Sequence, residues 1–140
     1  LGKKSLGLLP VVSSMPKDNH SLMQLYLDGP NKYFYTFFNV LENRNVKIKN
    51  DSVLNTHKFL KNLSIEKIKQ SQMIATEKVF ISKKIPFRSF RILKRNEQSL
   101  GELFCFFILE TILLGRALNV NPFDQPSVEL IKIETKKILS

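Results

Sequence analysis

Two short segments near opposite ends of the chain hold side chains of the types that move protons and grip hydroxyl groups. The first is Pro16-Lys17-Asp18-Asn19-His20. It places an imidazole, the side chain that ordinarily titrates nearest neutral pH, at the expected mouth of a helix that follows a strand. Open α/β sheets bind ligands beyond the carboxyl ends of their strands, so a proton shuttle is one reading of His20. A solitary surface histidine at a helix start is the other. The second segment is Asn121-Pro122-Phe123-Asp124-Gln125-Pro126-Ser127-Val128-Glu129-Leu130-Ile131-Lys132. Its Pro-rich turn delivers Gln125 to a helix start and puts Lys132 about two turns further along. An amide there could exchange hydrogen bonds with a sugar hydroxyl, and an ammonium could neutralise a developing oxyanion. A capped, amphipathic terminal helix with Lys132 in solvent explains the same pattern.

The remaining chemistry-bearing residues are less informative. His57 has no partner identifiable by spacing and reads as surface. The single cysteine, Cys105, lies in the apolar run Phe104 to Leu109 and reads as a small buried hydrophobe. It excludes an internal disulfide framework, and no Cys/His cluster has metal-ligand spacing. Asn50-Asp51-Ser52 and Asn62-Leu63-Ser64 match the glycosylation sequon, which carries little meaning without a secretory route. Gly-rich phosphate loops and nucleophile elbows are lacking.

The elements that must hold these segments follow from hydrophobic spacing. Leu6 to Ser14 is an apolar run that reads as a buried strand. A helix is expected from Asn19 or His20, capped by Asp18 or Asn19, with Leu22, Leu25 and Tyr26 on one face and Gly29-Pro30 as its stop. Tyr33 to Val40 is aromatic and strand-like. Glu42 to Thr56 is a polar excursion, and Thr56 to Asn62 reads as a short helical stretch. A longer helix should begin at Ser64, its N-cap, and end before Pro86. Arg88 to Leu93 is a further short strand. Glu97 to Leu118 is apolar almost all round and predicts a helix buried on most faces. Pro126 suits the first turn of a final helix. Strands alternating with helices predict an α/β layered domain.

The chain has 140 residues and a net charge of +10, with 43% hydrophobic and 24% charged residues. That is one domain's length and neither a disordered nor a membrane composition. The best membrane candidate, Leu100 to Leu118, carries Glu102, Glu110 and Arg116, so no membrane partner is expected. The N-terminus shows no long apolar stretch of the secretory type, which points to a cytoplasmic protein. The positive excess lies wholly between Asn43 and Arg95, where 14 Lys and Arg face three acids. Lys47, Lys49, Lys58, Lys61, Lys67, Lys69 and Lys78 are scattered singly and do not interleave with aromatics on a strand face, as single-strand binders require. A solvated basic surface is the main reading, a patch steering phosphorylated ligands the second, and a nucleic-acid partner the least favoured.

The string NPFDQPSVELIK resembles the C-terminal signature of the glucose-6-phosphate isomerase (phosphoglucose isomerase) family, in which Asn-Pro-Phe-Asp-Gln or a close variant is followed by Val-Glu and, after two more residues, a lysine. PKDNHSLMQLYLDGP resembles the family's histidine segment. The likeness spans nearly all 140 residues; Ser127 departs from the usual Gly or Ala but is also small. The resemblance implies a sugar-isomerase (SIS) fold, a three-layer α/β/α sandwich with a mainly parallel sheet. Residues 1–140 would then form a single domain, the C-terminal SIS domain of a longer, N-terminally truncated enzyme. It implies interconversion of glucose 6-phosphate and fructose 6-phosphate without metal or organic cofactor. His20 would match the ring-opening histidine, Lys132 the active-site lysine near the ring and C1 oxygens, and Gln125 a glutamine lining the sugar site. In the family the histidine enters the neighbouring subunit's site, so a homodimer is implied.

The same likeness implies what lies elsewhere. Leu1-Gly2-Lys3 looks like the tail of the family's Glu-Ser-x-Gly-Lys segment, so the general-base glutamate would fall two residues before Leu1. The phosphate loop and the arginine that stabilises the enediolate would also lie upstream, and this chain alone is expected to be inactive. The competing reading is a non-catalytic SIS module that senses sugar phosphates in a regulator. Such a module would have no reason to keep His20, Gln125 and Lys132 together.

Overall fold

Tyr35–Val40 and Phe87–Ile92 are short, aromatic-rich stretches, and they pair as parallel strands β1 and β2 in the register Tyr35↔Phe87 to Val40↔Ile92. Parallel neighbours need a crossover connection, and helix Ile65–Ser82 supplies it. In the computed structural model, residues 2–140 are described except 5, 6, 8, 31, 42–45 and 50–54. In chain order the helices are α1 (Met23–Asp28), α2 (Ile65–Ser82), α3 (Glu97–Ala117) and α4 (Pro126–Leu139). Short 3₁₀ turns occupy Lys17–Asn19 and Asn55–Leu60. The chain divides into two compact units, residues 11–99 and residues 1–10 with 100–140.

The first unit is a βαβ arrangement built on phenylalanine. Alternation along a strand sends Tyr35 and Phe37 to the face that meets α2, where Phe80 is fully buried. The Phe80 ring stands edge-on to Tyr35 at 5.0 Å, Phe37 at 5.1 Å and Phe87 at 5.9 Å. Such edge-to-face contacts add to the area term because a ring's positive edge meets its neighbour's negative face. Glu77, one turn earlier on α2, accepts from the Ser89 hydroxyl at 2.5 Å and approaches Arg91 at 3.8 Å. On the opposite sheet face Phe38 stacks on Phe90, with centroids 5.4 Å apart, and the Arg88 guanidinium lies over Phe90 and Phe34.

Both ends of α2 are set locally. Ser64 is its N-cap, accepting from the Lys67 amide at 3.1 Å, as the sequence predicts. At the other end the Ile85 amide reaches back to Phe80 O and Lys84 adopts a left-handed φ of 56°. Glycine is the usual residue at that point because a Cβ is disfavoured there. Lys84→Gly should therefore raise the unit's unfolding free energy by about 0.5–1 kcal/mol, read by urea denaturation.

Several expectations are corrected. Of the proposed strand Leu6–Ser14, Leu6 and Leu8 lie outside the described residues. Leu9 to Ser14 form no strand, and Leu9 and Val12 are 88% and 93% exposed. Pro10 withholds a ladder donor and Gly7 takes a φ of 113°, both of which oppose a continuous strand. The described residues thus hold two strands, in the expected parallel α/β arrangement. The helix expected from Asn19 or His20 starts at Met23, and Leu22 at its N-cap supplies no side-chain cap. Asp18 is otherwise engaged: its carboxylate accepts from the Ser14 amide at 2.6 Å. The stretch expected to be helical from Thr56 is a 3₁₀ turn, kinked at His57. Of the excursion at Glu42 to Thr56, residues 42–45 and 50–54 lie outside the described residues, as does the Asn50 sequon.

The second unit carries α4 and, from Leu100 onward, α3. Gly115 alone is buried on α3; Phe104, Ile108 and Leu113 are each at least 60% exposed, and Cys105 is exposed rather than buried. All-round apolarity on this helix therefore marks surface that the chain leaves open. Among the described residues, no helix is long and apolar enough to cross a membrane.

Candidate active site

The Asn121–Gln125 turn is fixed from both sides. At the end of α3 the Val120 amide donates to Gly115 O at 2.9 Å, with Asn119 in the left-handed region at φ 52°, which closes the helix and turns the chain back. Pro122 then lies directly against Gly115: a Cβ at that glycine would sit 3.0 Å from the proline ring. The Asn121 side chain accepts from the Phe123 amide at 3.0 Å, tightening the turn. From the opposite side, Lys3 donates to Asn121 O and pairs with the Asp124 carboxylate, while Lys4 donates to Asn119 O at 3.0 Å.

This turn feeds α4. Gln125 occupies the N-cap position with φ −134° and ψ 68°, and its carbonyl accepts from the Val128 amide at 3.0 Å. Its side chain makes no capping bond and is exposed, and Pro126 follows inside the first turn as expected. Gln125 thus immediately precedes the helix, and Lys132 lies in its second turn. The Lys132 ammonium donates to Glu129 at 2.5 Å, an exposed pair that a stronger anion can displace at little cost. The arrangement is an exposed amide at the N-cap of a helix and an exposed ammonium in the second turn of the same helix.

His20 belongs to the other unit, where it follows the 3₁₀ turn Lys17–Asn19 and is exposed. Its position is set indirectly, through α1. The Tyr26 hydroxyl meets Ser13 Oγ at 2.6 Å, its ring packs edge-on to Tyr35 at 5.3 Å, and the Tyr35 hydroxyl donates to Tyr26 O at 3.3 Å. Burial, with smaller contributions from Tyr26 and Tyr33, raises the Tyr35 pKa, which keeps that donor protonated. At the end of α1, Asp28 pairs with Lys83, the C-cap of α2, at 2.5 Å and accepts from Gln24. The hydrogen bond from Lys83 and its charge hold the Asp28 carboxyl below its ordinary value. Gly29 completes this anchor, since a Cβ there would collide with Leu25 O at 2.2 Å.

Spacing alone singles out neither Lys4 nor Gly115 beside this candidate site, and Lys3 stands out only as the tail of the motif that the resemblance supplies. A glycine within an otherwise apolar helix is the one available signal, because it marks close approach of another segment. Among the described residues, no group of three or more His, Cys, Asp or Glu could hold a metal ion.

No family model matches the chain. A probable glucose-6-phosphate isomerase of Methanococcus maripaludis is 35% identical over 132 residues, covering 92% of this chain and 29% of that relative. The chain is similar to glucose-6-phosphate isomerase along nearly its whole length. The glucose-6-phosphate isomerase of Methanocaldococcus jannaschii is 32% identical across 99% of the chain and 33% of its own length. That of Campylobacter jejuni is 30% identical across 99% and 34%. The chain thus spans about a third of the length of the curated glucose-6-phosphate isomerases it matches. Among solved structures, a hypothetical protein from Thermus thermophilus superposes with a TM-score of 0.78 at 26% identity, over 90% of this chain and 31% of that one.

Proposed function

We propose that the chain is the C-terminal SIS portion of a cytoplasmic glucose-6-phosphate isomerase, acting as a homodimer in glycolysis and gluconeogenesis. The observation that carries the reading is similarity to named isomerases over 92–99% of the chain, with Gln125 at the N-cap of the helix that holds Lys132.

The closed sugar must first open, which removes a proton from the C1 hydroxyl and returns one to the ring oxygen. His20, reaching the site of the neighbouring subunit, relays these protons. Lys132 stabilises negative charge on the ring and C1 oxygens, leaving Glu129 for the substrate. Gln125 holds a sugar hydroxyl with an amide that can donate or accept. Moving a proton between C2 and C1 through an enediol requires a carboxylate base, which this reading assigns to the sequence preceding Leu1, with the phosphate loop. No metal or organic cofactor enters the scheme.

The test is expression in a host lacking its own isomerase. The 140-residue chain alone should show no turnover, and the enzyme completed by its upstream sequence should interconvert the two hexose phosphates. Turnover by the chain alone would overturn this division of labour. A completed protein that binds sugar phosphates without converting them would favour the regulatory module instead.

A further inference from the structure

We infer that Lys3 is a positioning residue for the sugar-binding turn, acting through Asn121 and Asp124 to fix Gln125; the catalytic part of this inference rests on the isomerase reading above. Lysine is normally a solvated side chain, yet that of Lys3 is only 19% exposed. Its ammonium makes two contacts with one turn, donating to the carbonyl of Asn121 and pairing with the carboxylate of Asp124, the residue before Gln125. Charge-assisted bonds of this kind are shorter and stronger than neutral ones. The neighbouring Lys4 holds a third acceptor of the same stretch, Asn119 O, at 3.0 Å. It does so from a left-handed φ of 51°, a conformation costly for lysine that persists where surrounding contacts determine it.

The two lysines therefore draw residues 119–124 onto the N-terminal segment while Gly115 and Pro122 set the other side of the turn. With both sides fixed, the start of α4 has little freedom, and the Gln125 amide and Lys132 ammonium inherit a defined direction. Losing the Lys3 contacts leaves every sugar-binding side chain present and lets the turn that aims them relax.

Two measurements separate this inference from the isomerase reading. In the 140-residue chain, Lys3→Met should accelerate amide hydrogen exchange at Phe123 to Glu129 while leaving the Phe80 region unchanged. Unchanged exchange at the turn, or acceleration spread evenly over both units, would overturn the positioning role whatever the activity. In the completed enzyme, Lys3→Met should lower kcat/KM by about 10–100-fold, the scale of a small misplacement of reacting groups. Lys3→Arg should restore part of that loss. Combining Lys3→Met with Asp124→Asn should cost no more than the worse single variant, because both remove one contact. Full additivity would contradict action through Asp124. Accelerated exchange at the turn, together with a completed protein that has no isomerase activity, would uphold the local role of Lys3 and refute the isomerase reading instead.

Discussion

Replacing His20 by alanine in the completed enzyme is expected to lower kcat for cyclic glucose 6-phosphate by about 10²–10⁴-fold, the usual contribution of a positioned acid–base group. The loss should be chemical rather than structural. His20 is exposed, and the 3₁₀ turn and α1 before and after it are held by Asp18, Tyr26 and Asp28, so its removal leaves those anchors intact. Thermal stability should stay within about 0.5 kcal/mol of the parent, as for surface substitutions generally. A second substrate sharpens the result. A four-carbon aldose phosphate whose only ring-forming hydroxyl carries the phosphate has no ring to open. Its conversion should fall far less in His20→Ala than that of the hexose phosphate. Equal losses on both substrates would place His20 in proton transfer between carbons and remove it from ring opening.

Phe80→Ala is the substitution expected to cost most in stability, about 3–5 kcal/mol for deleting a fully buried aromatic ring. Phe80 is the only side chain with no solvent exposure among the described residues, and it joins α2 to both strands through Tyr35, Phe37 and Phe87. Its carbonyl also accepts the Ile85 amide that closes α2, so ring and backbone of one residue hold the helix to the turn before β2. With domains stable by only about 5–15 kcal/mol, such a loss approaches the whole margin. Urea denaturation followed by far-ultraviolet circular dichroism should show a lower midpoint at unchanged slope. Phe80→Leu, which keeps most of the volume, should lose clearly less. A loss below about 1 kcal/mol for Phe80→Ala would mean that the aromatic cluster is not the core of this unit.

Legibility in the sequence followed the range of the forces involved. The N-cap at Ser64, the stop at Gly29-Pro30, Pro126 inside the first turn of α4 and the aromatic strands are fixed by neighbours a few residues away, and each is present. The misreadings arose where local pattern and environment diverge. Leu9, Val11 and Val12 have the composition of a buried strand, but Pro10 interrupts their pairing and they face solvent. Asp18 has the right type and place to cap a helix, yet it is used by the Ser14 amide instead, and α1 starts later. Cys105 and its apolar neighbours on α3 are exposed, because hydrophobicity registers a tendency to be covered without naming what does the covering. At the candidate site, the order of Gln125, Pro126 and Lys132 was readable because one helix holds them. The clasp of Lys3 and Lys4 on residues 119–124 joins positions more than a hundred residues apart, and no periodicity reports such a contact.

The central claim is that an imidazole from one subunit and an ammonium from the other act on a single hexose phosphate. Hybrid dimers test it most directly. His20→Ala and Lys132→Met homodimers each carry a defect in both sites and should be nearly inactive. When the two are unfolded together and refolded at equal concentration, a composite site regains both groups in one of the two sites of every hybrid. The mixture should then recover about a quarter of the parent activity, as random pairing of two subunits in a symmetric dimer requires. A mixture that forms hybrids and remains no more active than its two components would contradict the shared site.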